Sequence, residues 1–212
     1  MSNGRIILDN SVDQETLHAY AANPEAVLDV TGLDLGRLPV DVKASLYSQA
    51  DAFNAPHLRI SGDIDAHRAT SFRAPQLRKA ENISATHAKA FEVPRLLAAG
   101  NIFATSAATF AAPELRIAGD IDAFAATNCD LPVLHISGYI HARFAASFNA
   151  PRLRKARFIT APTLKTFIAP QLRSTGYVNA SSAETFTAPL LDPSTYIFAP
   201  DAGFYPPVHP AL

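Results

Sequence analysis

Prolines recur at a fixed interval of nineteen residues along most of this chain. A leucine follows each of them by two residues, an isoleucine or valine by eight, and an alanine by ten. The eight repeating prolines are Pro56, Pro75, Pro94, Pro113, Pro132, Pro151, Pro170 and Pro189. Self-similarity at one short period is typical of stacked repeat proteins, in which each copy packs only against its neighbours. The sequence therefore predicts one continuous repeat domain.

The repeat reads F-x-A-P-x-L-R-x-A-G-x-I-x-A-x-x-A-x-x when each copy begins at its phenylalanine. Nineteen residues are too few for two helices and two turns, and the apolar positions do not follow a 3.6-residue period. The Phe-x-Ala and Ile-x-Ala segments alternate as short strands with one buried face do. We therefore predict an all-β fold, a single parallel β-solenoid of about eight 19-residue rungs over residues 51–199, with two or three strands per turn.

The corners and ends of the coil follow from the same pattern. Proline cannot donate a backbone hydrogen bond, so each one is expected at a corner or strand start. Five glycines lie six residues after a proline and mark a second corner, where we expect a positive φ. An open parallel rung exposes unpaired backbone groups, so both ends need covers. We predict an N-terminal cap over residues 1–50, with a short helix beginning near Asp13 and an irregular first rung, and a Pro-rich C-terminal tail over residues 200–212.

The segment F-x-A-P-x-L-R-x-x-G-D-I-D-A resembles the repeat of bacterial and phage-type leucine-rich-repeat-like proteins, and more distantly that of receptor L-domains. The resemblance covers residues 51–199. The repeat is shorter than an ordinary leucine-rich repeat and lacks the asparagine ladder of that family. The resemblance implies a non-catalytic recognition scaffold, with no shared reaction, no cofactor and no functional residue to transfer.

Composition and motifs argue against several classes of protein. Eighteen basic and nineteen acidic residues give a net charge of −1, unlike a strongly basic nucleic-acid binder or an acidic DNA mimic. No nucleophile elbow, phosphate loop or dinucleotide-binding motif is present, and the seven histidines form no recognisable metal set. We expect no enzymatic activity, no metal and no cofactor.

Location is predicted from what the sequence does not contain. The chain shows neither a signal sequence nor an apolar run approaching a membrane span. We expect a cytoplasmic protein with no membrane partner. Its one cysteine, Cys129, occupies the column otherwise filled by phenylalanine, which predicts a buried thiol.

The position before the repeating isoleucine changes character midway along the chain. It is Asp63, Asn82, Asn101 and Asp120 in the first four copies and aromatic in the last four. Basic residues gather around the sixth copy, near these rings. Aromatic and arginine side chains are enriched in interface hot spots, whereas a purely structural aromatic ladder is the alternative. The predicted partner-binding residues are Tyr139, Arg143, Arg152, Arg154, Lys155, Arg157, Phe158, Tyr177 and Tyr196.

A second pattern is an arginine column in the position after the repeating leucine. It contains Arg59, Arg78, Arg116, Arg154 and Arg173. Such a column suits a row of phosphates or carboxylates. The alternative is a set of solvated charges that resist edge pairing and aggregation. Acidic neighbours lie in two of these copies, Asp63 and Asp65 in that of Arg59, and Asp120 and Asp122 in that of Arg116.

Three functional hypotheses are consistent with the sequence. The first is a non-enzymatic scaffold that binds a partner protein, as an inhibitor, adaptor or assembly subunit, through the outer face of the C-terminal rungs. The second is nucleic-acid or polyanion binding through the arginine column and the basic sixth rung. The third is a structural subunit that associates with itself.

Overall fold

The computed structural model describes residues 4–200 and confirms the predicted all-β solenoid. The chain makes about ten turns of parallel strands and contains one α-helix. Each turn has three sides: a strand beginning near the phenylalanine, a single bridging residue after the leucine, and a strand around the isoleucine. Residues 201–212, which hold nearly all of the predicted Pro-rich tail, lie outside the described part of the chain.

The isoleucine sheet runs the full length of the coil and has eleven parallel strands. Its isoleucines pair in register from turn to turn, as Ile83 does with Ile102 and Ile140 with Ile159. They point into the core, so the residues on either side of them point outward. The strands are Ile6–Asp9, Val27–Gly32, Ser45–Tyr47, Ile64–Asp65, Ile83–Ser84, Ile102–Phe103, Ile121–Asp122, Tyr139–His141, Phe158–Thr160, Tyr177–Asn179 and Tyr196–Phe198.

The phenylalanine side forms two separate four-stranded parallel sheets. Neighbouring rings stack with their centroids 4.5 to 5.2 Å apart, and all of them are buried except the half-buried Phe186. The interruption falls between Phe110 and Cys129, where the ladder has no ring. In the same turn Leu131 replaces the usual alanine and is fully buried, so it occupies volume that the missing ring leaves. The strands are Ala52–Asn54, Ser71–Arg73, Ala90–Glu92 and Thr109–Ala111 in one sheet, and Asn128–Asp130, Ser147–Asn149, Thr166–Ile168 and Thr185–Thr187 in the other.

The third face closes each turn with little regular strand. It consists of residues 57–60 and the equivalent four residues of every later copy, with residues 38–41 in the turn before. Lys79–Ala80 and Ala98–Ala99 form a two-stranded sheet, and single parallel bridges continue the column. The bridging residues are Asp41, Ile60, Lys79, Ala98, Ile117, Ile136, Lys155 and Ser174.

The glycine corner does not have the backbone conformation that we expected. Within residues 4–200, Gly4 is the only residue with a positive φ. At four of the five corner glycines the close approach of successive turns leaves no room for a Cβ, whereas a Cβ at Gly176 would lie 3.1 Å from its nearest neighbour. A Cβ at Gly62 would lie 2.7 Å from the carbonyl oxygen of Lys43, and one at Gly119 would lie 2.6 Å from Oδ1 of Asn101. Glycine is therefore selected here for space rather than for φ.

The N-terminal segment contains the predicted helix, Gln14–Ala21. Asp13 caps it and accepts a hydrogen bond from the backbone N–H of Thr16 at 2.9 Å, which confirms the predicted start. Residues 1–50, interpreted as a cap, also contribute three strands to the isoleucine sheet. The pairing residues in these turns are Ile6, Leu28, Leu46 and Ile64. They are separated by 22, 18 and 18 residues, so the 19-residue period does not extend into this segment. A short 3₁₀ helix, Leu35–Arg37, lies among them. No helix of residues 4–200 is long and apolar enough to cross a membrane.

Candidate functional site

The outward column before the isoleucines begins as a ladder of side-chain hydrogen bonds. The N–H of Asn101 donates to Oδ1 of Asn82, that of Asp120 to Asn101, and that of Tyr139 to Asp120, each at 2.8 Å. Both aspartate and asparagine serve in this ladder, since the column reads Asp63, Asn82, Asn101 and Asp120. These side chains satisfy backbone donors at the glycine corner, so their role in the first four copies is structural.

The same column becomes aromatic after Asp120. The rings of Tyr139 and Phe158 stack with centroids 4.9 Å apart, and those of Tyr177 and Tyr196 with centroids 5.6 Å apart. Within each pair, one face of each ring is covered by its neighbour. Tyr139 is nevertheless 41% exposed. The column thus contains two stacked pairs between neighbouring turns, and the Tyr139 and Tyr196 side chains are also exposed to solvent.

Arg157 lies over the first of these ring pairs. Its guanidinium carbon is 5.3 Å from the ring centroid of Tyr139 and 5.9 Å from that of Phe158. Arg157 occupies the corner column that holds Gly138 and Gly176 in the neighbouring turns. A cation at this distance is attracted to the negative ring face, which orients the arginine while leaving it exposed.

A shallow groove of about 330 Å³ lies beside Tyr139 on the outer surface of the isoleucine sheet. Across the groove from the aromatic column, His141 lies with its Nδ1 3.6 Å from Oδ1 of Asp122. The lining combines apolar and hydrogen-bonding groups, as sites for a single anchoring side chain do. The lining residues are Phe103, Asp120, Ile121, Asp122, Tyr139, Ile140, His141 and Thr160.

A second aromatic cluster continues the groove toward the corner with the phenylalanine sheets. The ring of Phe124 makes edge contacts with His141 and with Phe144, both at 5.1 Å between centroids. The guanidinium carbon of Arg143 lies 5.8 Å from the Phe124 centroid. Phe144 is 54% exposed, an unusual position for a large apolar ring.

We define the aromatic face as this continuous surface, comprising Phe103, Phe124, Tyr139, His141, Arg143, Phe144, Arg157 and Phe158. Tyr177 and Tyr196 extend its column toward the C-terminal end. The sequence prediction did not include Phe103, Phe124 or Phe144. A signal was present for Phe124 and Phe144, because each is an aromatic residue in a column that other copies fill with small or polar residues. The column of Phe103 contains a second phenylalanine, Phe198.

The predicted basic cluster is divided between two sides of the coil. Arg143 and Arg157 belong to the aromatic face. Arg152, Arg154 and Lys155 lie on the third face, on the other side of the glycine corner, and all three are exposed. The interleaving of rings and basic residues seen in the sequence therefore combines two separate surfaces.

The arginine column of the third face has no carboxylate partner within residues 4–200. All five of its arginines are exposed, and their side chains make no hydrogen bond or ion pair there. The aspartates of the same copies are engaged elsewhere. Asp120 accepts the N–H of Tyr139, Asp65 lies 2.7 Å from His67, and Asp122 accepts the N–H of Phe124. These aspartates therefore do not pair with the arginines, whose side chains are exposed to solvent.

Among the described residues, neither the aromatic face nor the third face contains a metal site or a reactive thiol. No group of three histidine, cysteine or acidic residues in the described part of the chain could hold a metal ion. Cys129 is fully buried, as predicted. Burial, with a smaller effect of Asp130, raises the pKa of its thiol to about 12, so the group is protonated and unreactive at neutral pH.

No family model, curated protein or solved structure matches this chain.

Proposed function

We propose that this chain is a non-enzymatic, rod-shaped binding module that presents its aromatic face to another protein, as an inhibitor, an adaptor or an assembly subunit. The observation that carries the proposal is a pair of exposed rings: Tyr139, which lines the groove and lies near Arg157, and Phe144, which contacts the Phe124 ring beside Arg143. Cytoplasmic location forms part of the same proposal.

The chemistry of the aromatic face suits protein recognition. Tyrosine, phenylalanine and arginine are enriched at interfaces, and a few such residues supply most of the binding free energy. Here the rings are held by stacking and edge contacts, and Arg157 is held over Tyr139. Side chains ordered before binding lose less conformational entropy on association, which favours affinity. The groove beside Tyr139 is of a size to receive one side chain of the partner.

Single-stranded nucleic acid fits this surface less well. Bases stack on exposed faces of aromatic rings. The faces of Tyr139 and Phe158 are turned toward each other, and so are those of Tyr177 and Tyr196. Tyrosine side chains, which combine an apolar ring with a hydroxyl group, instead suit contacts with side chains and backbone amides of a protein. The resemblance to leucine-rich-repeat-like scaffolds supports the same class of function and stays a prediction.

The test is capture from a lysate of the source organism after nuclease treatment, with the full-length chain immobilised and bound proteins identified by mass spectrometry. We expect a protein retained by the wild type and lost with Tyr139→Ala combined with Phe144→Ala. A matched control is Ile117→Ala combined with Ile136→Ala, which truncates two side chains of similar exposure, 50% and 46%, on the third face.

Two results would contradict the proposal. Equal retention by the wild type and the Tyr139/Phe144 variant would show that the aromatic face is structural. Recovery of the chain alone, together with a molar mass that rises with concentration, would favour a self-associating structural subunit. Far-UV circular dichroism of each variant checks that the solenoid is intact.

A further inference from the structure

Charge is distributed very unevenly around this nearly neutral protein. The third face holds nine of the 18 lysines and arginines but three of the 19 acidic residues. All nine cations are exposed, and within residues 4–200 none of them makes an ion pair. The cations are Arg59, Arg78, Lys79, Arg95, Arg116, Arg152, Arg154, Lys155 and Arg173, and the acidic residues are Asp41, Glu114 and Asp192.

Large aliphatic side chains are exposed on the same face. Four of them lie in or beside the bridging column, next to the arginine column: Val40, Ile60, Ile117 and Ile136, with exposures between 41% and 50%. Two parallel columns, one basic and one partly aliphatic, therefore run along one side of the rod. Successive turns of a parallel coil lie about 4.8 Å apart, so neighbouring side chains of the two columns can contact one partner surface together.

We propose that the third face docks on the surface of an anionic phospholipid bilayer. Lipid phosphate and carboxylate groups pair with exposed arginines, and aliphatic side chains enter the boundary between headgroups and acyl chains. Basic residues near an anionic leaflet each strengthen attraction to it. The sequence predicted no membrane partner because it lacks a spanning segment, and surface docking needs none.

The interruptions in the arginine column favour a bilayer over a linear polyanion. Leu97 and His135 replace arginine in two of the internal turns. A stiff polymer with regularly spaced charges would lose contacts at both places, whereas mobile lipid headgroups gather wherever the cations lie. Exposed aliphatic side chains have no role with a soluble polyanion, and the described part of the third face carries no phenylalanine or tyrosine on which bases could stack.

This inference goes beyond the proposed protein-binding function and uses a different surface. The aromatic face lies around the glycine corner, so a rod held on a bilayer by its third face leaves Tyr139 and Phe144 accessible. The two proposals can therefore fail separately, since each has variants that leave the surface of the other unchanged.

The experiment is co-sedimentation of the full-length chain with vesicles of phosphatidylcholine alone and of phosphatidylcholine mixed with phosphatidylserine. We expect binding to the mixed vesicles only, and loss of binding as salt rises, because the screening length falls from about 10 Å at 0.1 M salt to about 3 Å at 1 M. Each cation removed from such a contact weakens binding about five-fold.

Three variants sharpen the test. Arg116→Glu, Arg154→Glu and Arg173→Glu together should weaken vesicle binding by more than about 100-fold. The matched control reverses Arg68, Lys89 and Lys165 to glutamate, which makes the same change in net charge at the corner opposite the third face. Ile117→Ser with Ile136→Ser should weaken vesicle binding at unchanged charge.

Vesicle binding that is lost equally in both charge-reversed variants would overturn the proposal, because it would report net charge alone. Equal binding to phosphatidylcholine vesicles would overturn it as well. So would binding of heparin or DNA without vesicle binding, or an isoleucine variant that binds vesicles as the wild type does. Thermal unfolding of each variant, followed by circular dichroism, confirms that the compared proteins are folded.

Discussion

The fifth 19-residue copy offers a test of how the core is packed, because two of its substitutions compensate for each other. Cys129 stands where the other copies have phenylalanine, and Leu131 where most have alanine. Both are fully buried, next to each other on the inward side of the chain. The perturbation is to restore the consensus in steps, as Cys129→Phe, as Leu131→Ala, and as the two together.

The expected free energies follow from this packing. Leu131→Ala removes a fully buried side chain and leaves a cavity, at a cost of about 3 kcal/mol. Cys129→Phe adds a ring to space that Leu131 already occupies, and overpacking costs about 2 kcal/mol. Independent effects would sum to about 5 kcal/mol. In the double variant the new ring takes the vacated volume between Phe110 and Phe148, where stacking contributes about 0.5–1.5 kcal/mol per ring pair.

We therefore expect the double variant to be destabilised by about 2 kcal/mol or less, a coupling of about 3 kcal/mol between the two sites. The assay is urea unfolding followed by far-UV circular dichroism, with the free energy of unfolding obtained for all four proteins. Leu172→Ala combined with Cys129→Phe is the control, because Leu172 is equally buried two turns away and should be additive. Additivity of Cys129→Phe and Leu131→Ala within about 0.5 kcal/mol would refute the compensation.

Two further predictions concern the glycine corner and the buried thiol. Gly100→Ala would place a Cβ against the carbonyl oxygen of Glu81 and should lower the free energy of unfolding by about 2 kcal/mol or more. Gly32→Ala is the control, because its Cβ would make only ordinary contacts, and it should change the free energy of unfolding by less than about 1 kcal/mol. Urea unfolding measures both. The Cys129 thiol should not react with a thiol reagent at pH 8 until the protein unfolds. Because burial raises its pKa from 9.0 to about 12, the neutral thiol favours the folded state below pH 9. The free energy of unfolding should fall between pH 9 and 12, and it should fall less in Cys129→Ala. Rapid labelling of the folded protein would contradict the buried position.

The repeat made most of the fold predictable. Proline at one corner, inward phenylalanine, leucine and isoleucine, and the helix starting at Asp13 are all local consequences of residue type and spacing. The turns within residues 1–50 were not predictable, because the helix and the altered intervals of 22 and 18 residues remove the periodic signal. The sequence predicted where the corner glycines lie but not why glycine is favoured there. Contacts between turns, rather than the torsion angles of one turn, decide that role.

The two candidate surfaces were also predictable only in part. The aromatic column from Tyr139 to Tyr196 was visible as a column, but sequence spacing does not show that its ring faces cover one another. The basic residues around the sixth copy were expected to form one cluster with these rings. Arg157 does so, whereas Arg154 and Lys155 lie beyond the corner on another face.

The sequence by itself determined that similar residues stack on one another in successive turns, because a constant repeat length brings each position to the same place in every turn. It also determined which columns point inward, because alternation about a strand separates buried from exposed side chains. Only the tertiary structure decided which columns share a face, which charges find partners, and which rings are exposed. Those properties depend on where the chain bends within each turn, and the bends are set by packing between turns that no single copy encodes.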